Sequence, residues 1–287
     1  QLTLHLPFPC PFLPHAPDDA VPDVVVQEGA VPRALEQPLA GEMAWQAAPG
    51  RFLWRGGMRS GRFLVEDGCR VTLQRNPDAE EELLAFHFLD AVLAAILRQR
   101  GLLVLHANAA VTPAGAVAIS GQSGAGKSTT LAALAAHGNA MLADDITALC
   151  LRPAGCVEVL PGIPQLHLCD DAAAGLSQDT AGLPRQQWRR LKTAVPMAVA
   201  PAAAPLHALY LLETHTGANV RVAALTGSEK FSAVQECVYG PLLPEDHPGQ
   251  FALFAAVVEQ TAVYRLFRPA HRWSIAEVVD TILTHDA

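Results

Sequence analysis

The sequence predicts an α/β chain in two parts: a small, mainly β domain over residues 1–76 and a larger α/β domain over residues 77–287. Three observations lead there. Residues 51–75 alternate in short apolar runs around an Asp67-Gly68 turn, and a helix start is written at Asn76-Pro77. Further on, an apolar strand, a glycine-rich loop and a helix follow one another over residues 116–137.

In the first part, residues 1–40 are rich in proline and acid and show only one short apolar run, Val24–Val26. Arg51–Trp54, Arg62–Glu66 and Cys69–Gln74 then read as strands, the last two joined by Asp67-Gly68, a pair that accepts the positive φ angles of a tight hairpin. Asn76 as N-cap, Pro77 at the first helical position and the acids Asp78, Glu80, Glu81 and Glu82 predict a helix that ends near Arg100-Gly101.

Beyond it, Leu102–His106, Ala109–Thr112, Ala116–Ser120 and Ala140–Ala143 read as strands, with a helix over Lys127–His137. Ile146–Leu151 with Cys156–Leu160 predicts one hairpin, and Leu206–Glu213 with Asn219–Leu225 a second. A strand at Ala262–Phe267 and helices near 228–238, 250–260 and 274–285 complete the chain.

Composition narrows the function. Half of the 287 residues are hydrophobic, which is ample for a core, and the net charge is −8. That acidity argues against general binding to nucleic acid or to an anionic membrane, both of which need a basic field. The longest apolar stretches are too short or too broken by proline to span a bilayer, and Leu2–Leu13 does not have a signal-peptide pattern. The six cysteines include no Cys-x-x-Cys pair, which fits reduced thiols in a cytoplasmic protein.

The segment Gly121-Gln122-Ser123-Gly124-Ala125-Gly126-Lys127-Ser128, followed by Thr129, has the spacing of a phosphate-binding loop. Glycines there let the backbone turn its N–H groups inward to form an anion nest, and the helix that follows adds the positive end of its dipole. Lys127 can reach β- and γ-phosphates, and the Ser128 hydroxyl suits Mg²⁺. A transport ATPase, a nucleotide switch and a kinase all use such a loop. Asp144-Asp145, at the end of the next strand and 17 residues after Lys127, separates them. A transporter carries its metal-binding Asp much later, and a GTPase carries an Asn-Lys-x-Asp motif that is missing here. Two carboxylates beside a phosphate site can divide the labour, one holding Mg²⁺ and the other accepting the proton of an attacking hydroxyl. His106, at a strand end 21 residues before Lys127, is a further candidate.

Taken together, Leu105-His106-Ala107, Val117 through Ser128, and Leu142-Ala143-Asp144-Asp145 resemble the catalytic domain of HPr kinase/phosphorylase. The resemblance implies a fold related to phosphoenolpyruvate carboxykinase, with ATP and Mg²⁺ used to phosphorylate a serine. It makes Asp144 the base, His106 a site residue, Lys127 the phosphate clamp and Ser128 a metal ligand, which leaves Asp145 as the carboxylate of the pair that holds Mg²⁺. Thr129 stands where that family has Glu, and Glu158 lies near but out of register with the family's second metal carboxylate. Pro161-Gly162-Ile163-Pro164-Gln165-Leu166 and the basic stretch Arg189-Arg190-Leu191-Lys192 are similar to segments of relatives in peptide-biosynthesis clusters, including those that phosphorylate the C-terminal serine of lasso-peptide precursors. Arg189, Arg190 and Lys192 also suit a substrate phosphate or carboxylate on chemical grounds. The expectation is an ATP-dependent kinase acting on a serine-bearing peptide or small protein, with homo-oligomerisation allowed. An HPr-type protein kinase, a small-molecule kinase and a non-catalytic nucleotide-binding regulator are the alternatives.

Overall fold

The computed structural model describes residues 2–183, 185–186, 192–240 and 248–285. It is a mixed α/β structure of several sheets, divided into two compact units: Gln1–Leu103 with Gly240–Ala252, and Val104–Tyr239 with Leu253–Ala287.

The first unit is built on a seven-stranded sheet. Its strands run in the spatial order Leu4–His5, Val24–Glu28, Arg70–Arg75, Gly61–Glu66, Arg51–Arg55, Trp45–Ala48 and Ala40–Gly41. The Asp67-Gly68 hairpin forms as read, with φ of 53° and 64°, the mirror-image turn whose twist matches that of its strands. Leu53, Phe63, Val65, Val71 and Leu73 are buried on the sheet.

The helix after the sheet starts later than expected, at Glu81. Asn76 does not cap it: residues 76–79 form a turn, closed by Ala79 N–H on the Asn76 carbonyl, and the cap position falls on Glu80. The helical stretch Glu81–Gln99 contains one π turn, Phe88–Val92. It buries Leu84, Phe88, Val92 and Ile96, a stripe at four-residue spacing. Phe88 meets Phe8 edge-on at 5.7 Å, and His87 meets Trp54 at 5.5 Å. The compact unit therefore extends to Leu103, past the sequence-based boundary at 76, because this helix covers the sheet that precedes it.

In the second unit, an eight-stranded sheet follows the path Met141–Ala143, Leu103–Thr112, Ile146–Leu151, Val157–Val159, Ala204–His215, Ala262–Pro269 and Arg221–Ala224, with Gly115–Ser120 paired to both Leu103–Thr112 and Ala204–His215. The hairpin around residues 152–156 forms. The second expected hairpin does not: Ala262–Pro269 inserts between Ala204–His215 and Arg221–Ala224. The run Ala208–Leu212 is buried throughout, which places it inside the sheet, with parallel neighbours on both sides. Gly115–Ser120, Ala204–His215 and Ala262–Pro269 thus run parallel, and their C-terminal ends lie on one side. The helices Lys127–Ala136 and Ile275–His285 share one apolar cluster through Leu131, Leu134, Val278, Val279 and Ile282. A smaller sheet, Gln165–Cys169, Lys192–Pro196 and Arg185–Gln186, adds Leu166 and Leu168 to that cluster.

Burial depresses the pKa of His87, whose Nδ1 lies 2.8 Å from the buried Ser60 hydroxyl; the nearby Asp90 opposes the shift more weakly. An unfolded chain takes up this proton below about pH 6.5, whereas the folded chain resists it. Stability is therefore expected to fall as pH drops below that value, and to level off once the lower folded pKa is passed. Urea unfolding from neutral to mildly acid pH checks this: His87→Gln, which still offers Ser60 a partner, should show a shallower pH slope than the wild type.

Candidate active site

The strand Gly115–Ser120 delivers the glycine loop, and the helix Lys127–Ala136 leaves from it. Gly121 and Gly126 take φ of 140° and 112°. A side chain at Gly121 would also run into the Leu212 carbonyl oxygen, so both conformation and space demand glycine there. The loop is closed internally: Ala125 N–H bonds to the Gln122 carbonyl at 3.0 Å, and the Gly126 carbonyl accepts both Thr130 N–H and Thr130 Oγ1. Gln122, Ser123 and Gly124 are exposed, and Thr129 is half-buried on the helix.

Lys127 is 7 % exposed. Its ammonium donates to the Gly121 carbonyl at 2.7 Å and lies 3.4 Å from His106 Nε2. An ammonium has no acceptor, so this contact requires the unprotonated nitrogen of His106. The strand Leu103–Thr112 fixes His106 in place, because its carbonyl accepts Ser120 Oγ at 2.9 Å and its ring lies 5.7 Å from that of Tyr239.

Asp144 and Asp145 occupy the tight connection between Met141–Ala143 and Ile146–Leu151. Ile146 N–H bonds back to the Asp144 carbonyl at 2.8 Å, a three-residue turn that forces φ of 62° on Asp145. A non-glycine residue held there carries conformational strain of the kind found at working sites.

The Asp144 side chain is 3 % exposed, and every acceptor direction is used. Oδ1 accepts Asn108 Nδ2 at 2.8 Å and Ser128 Oγ at 3.3 Å. Oδ2 accepts His167 N–H at 3.0 Å and lies 2.9 Å from His167 Nδ1. Asn108 also receives Asp145 N–H on its Oδ1 at 3.1 Å, and its Nδ2 reaches Ser128 Oγ at 3.4 Å. One amide therefore ties together both acidic residues and the first turn of the loop's helix. Asp144, Asp145 and His167 bring one ligand atom each to within 4.8 Å of one another.

The structure thus gathers His106 with Lys127, and Ser128 with Asp144 and Asp145. Glu158 is elsewhere: it pairs with Arg152 at 2.6 Å across the hairpin. Lys192 pairs in register with Cys169, two positions along the strand from His167, which puts both side chains on one sheet face. Arg189 and Arg190 lie outside the described residues. Two members of the cluster, Asn108 and His167, were missed from sequence. Asn108 had a usable signal, since it alternates with His106 on a strand and so shares its face.

No protein-family model matches the chain, and no curated protein matches it in sequence. Among solved structures, the chain is similar to the Hpr(Ser) kinase/phosphatase from Coxiella burnetii, with a TM-score of 0.34 and 14 % identity, over 64 % of this chain and 94 % of that one. At that score and identity the likeness carries neither the fold nor the chemistry, which rest on the geometry above. Among the described residues, no helix is long and apolar enough to cross a membrane.

If Asn108 is the tie that the distances indicate, Asn108→Ala leaves two oxygens of the network and one buried N–H without their partner. The expected cost is about 1–3 kcal/mol of stability, read by denaturant unfolding. An unchanged midpoint would show that Asn108 is a bystander.

Proposed function

We propose that this chain is an ATP-dependent kinase of the HPr-kinase-like kind, transferring the γ-phosphate to a serine hydroxyl of a peptide or small protein. One observation carries the reading: the buried Asp144 carboxylate shares a hydrogen bond with Ser128, the residue that follows the glycine loop and its lysine. Binding of phosphates and handling of an acceptor's proton are thereby set side by side.

In this reading the backbone N–H groups of residues 121–128 hold the phosphates, assisted by the helix dipole. Lys127 leaves the Gly121 carbonyl to meet the β- and γ-phosphates, and His106 guides its ammonium. Asp144 orients the acceptor hydroxyl and takes its proton as the oxygen attacks phosphorus in line and ADP departs. Accepting that proton requires Asp144 to release one of its present donors, and Ser128, at 3.3 Å, holds it by the longest bond.

The oxygen donors Ser128, Asp145 and Asp144 fit a hard divalent cation, so Ser128 and Asp145 would hold Mg²⁺. When bound, that ion would neutralise charge on the phosphates. Lys192, on the same sheet face as His167, supplies positive charge for an acceptor's carboxylate, and a lasso-peptide precursor's C-terminal serine is the specific acceptor to test.

The test is incubation with Mg²⁺, ATP and serine-bearing peptides, read as a mass gain of one phosphate. Asp144→Asn is expected to lower turnover by about 10²–10⁴-fold while ATP affinity stays within a few-fold of wild type. Near-normal turnover would remove Asp144 from the chemistry. Lys127→Ala is expected to weaken ATP binding; wild-type kinetics in that variant would overturn the site as a whole. Retained ATP binding by the wild type, with no transfer to any acceptor, would favour a regulatory nucleotide-binding role.

A further inference from the structure

The last strand of the second unit's sheet, Ala262–Pro269, runs parallel to Ala204–His215 and ends beside the glycine loop with Arg268. Its guanidinium faces the loop's carbonyls. Nε donates to the Ala125 carbonyl at 2.6 Å and one terminal nitrogen to the Gly124 carbonyl at 3.3 Å. The other terminal nitrogen reaches the Pro269 carbonyl at 3.4 Å. A side chain built on Gly126 would come within 3.3 Å of the same guanidinium, so the two residues are fitted to each other.

A peptide unit is planar and trans, so its C=O and N–H point in opposite directions. Holding the Ala125 carbonyl towards Arg268 therefore directs the Gly126 N–H away from Arg268. The neighbouring Ala125 N–H is already spent on the Gln122 carbonyl. The Gly126 N–H, at the entrance to the helix, is thus the donor whose direction Arg268 controls. A positive charge on the outer side of the loop also raises the potential felt by an anion within it.

We propose that Arg268 is a positioning residue for the phosphate loop, clamping the Gly124 and Ala125 carbonyls outward so that the loop is already shaped for a nucleotide's phosphates. This rests on the reading of residues 121–128 as a nucleotide site. Burial lowers the pKa of Arg268, yet an arginine remains charged at any working pH, so the clamp is permanent. Lysine is a poor replacement, because a single ammonium lacks the planar fork that serves two carbonyls.

The experiment titrates ADP and AMP into wild type, Arg268→Ala and Arg268→Lys, with and without millimolar guanidinium, and records the thermal midpoint of each. For Arg268→Ala, ADP affinity should fall about tenfold or more, the scale of a lost hydrogen bond to a charged group. The fall should be smaller for AMP, which presents one phosphate to the nest, and guanidinium should restore part of the ADP affinity. Arg268→Lys, which keeps the aliphatic stem and the charge, should sit between wild type and Arg268→Ala, and it serves as the readout if the alanine variant does not fold. Unchanged ADP affinity in both variants would overturn the clamp alone. An equal loss for ADP and AMP that guanidinium does not recover would overturn it too, since that is the mark of general damage. Wild-type protein that binds no ADP would overturn the nucleotide reading and the clamp with it.

Discussion

A carboxylate that is almost fully buried must be given donors, and much of the second unit is arranged to give them to Asp144. Its side chain is 3 % exposed, and leaving such a charge unpaired would cost several kcal/mol. The four donors come from three separate segments: Asn108 on Leu103–Thr112, Ser128 at the start of the loop's helix, and His167 on the smaller sheet, through both backbone and ring. Satisfying one acid therefore fixes the mutual placement of the long strand, the glycine loop and the strand Gln165–Cys169. The strained φ of Asp145 is the local consequence, because the chain must turn at once to carry Asp144 inward and return as Ile146–Leu151.

The loop itself is held from two sides. On its inner side Lys127 is folded back onto the Gly121 carbonyl, an arrangement that a phosphate can replace without rebuilding the backbone. On its outer side Arg268 occupies the carbonyls of Gly124 and Ala125. Hydrogen bonds already in place hold the glycine segment in one shape, so under the proposed function little ordering is left to be done when phosphates arrive. The parallel strands Gly115–Ser120, Ala204–His215 and Ala262–Pro269 make the arrangement possible, since they bring residues far apart in sequence to one end of the sheet.

The parts of the site legible in the sequence were those whose signal is local. The loop, Lys127, Ser128 and Asp144-Asp145 lie within one strand–loop–helix–strand passage, where spacing alone is enough to bring them to notice as a group. His167 and Arg268 reach the site only through sheet register and long connections, so no short pattern marks them, whereas Asn108 sits two residues from His106 on the same strand face. The same distinction explains the fold. The Asp67-Gly68 hairpin was readable because two residues determine it. The pairing of Leu206–Glu213 with Asn219–Leu225 was misread because a distant strand, Ala262–Pro269, takes the place between them. The helix start at Asn76 was misread because the Asn76-Pro77 pair opens a turn, and the helix follows it only from Glu81. The boundary at 76 separated a helix from the sheet on which it packs.

In the proposed function the glycine loop and the Asp144 network form one phosphoryl-transfer site. A crystal structure with Mg²⁺ and a non-hydrolysable ATP analogue would decide this. The β- and γ-phosphates are expected to be cradled by the N–H groups of residues 121–128, with Lys127 moved from the Gly121 carbonyl onto them and the γ-phosphate facing Asp144. Phosphates bound away from the loop, or a γ-phosphate directed away from Asp144 with Lys127 still on Gly121, would contradict it.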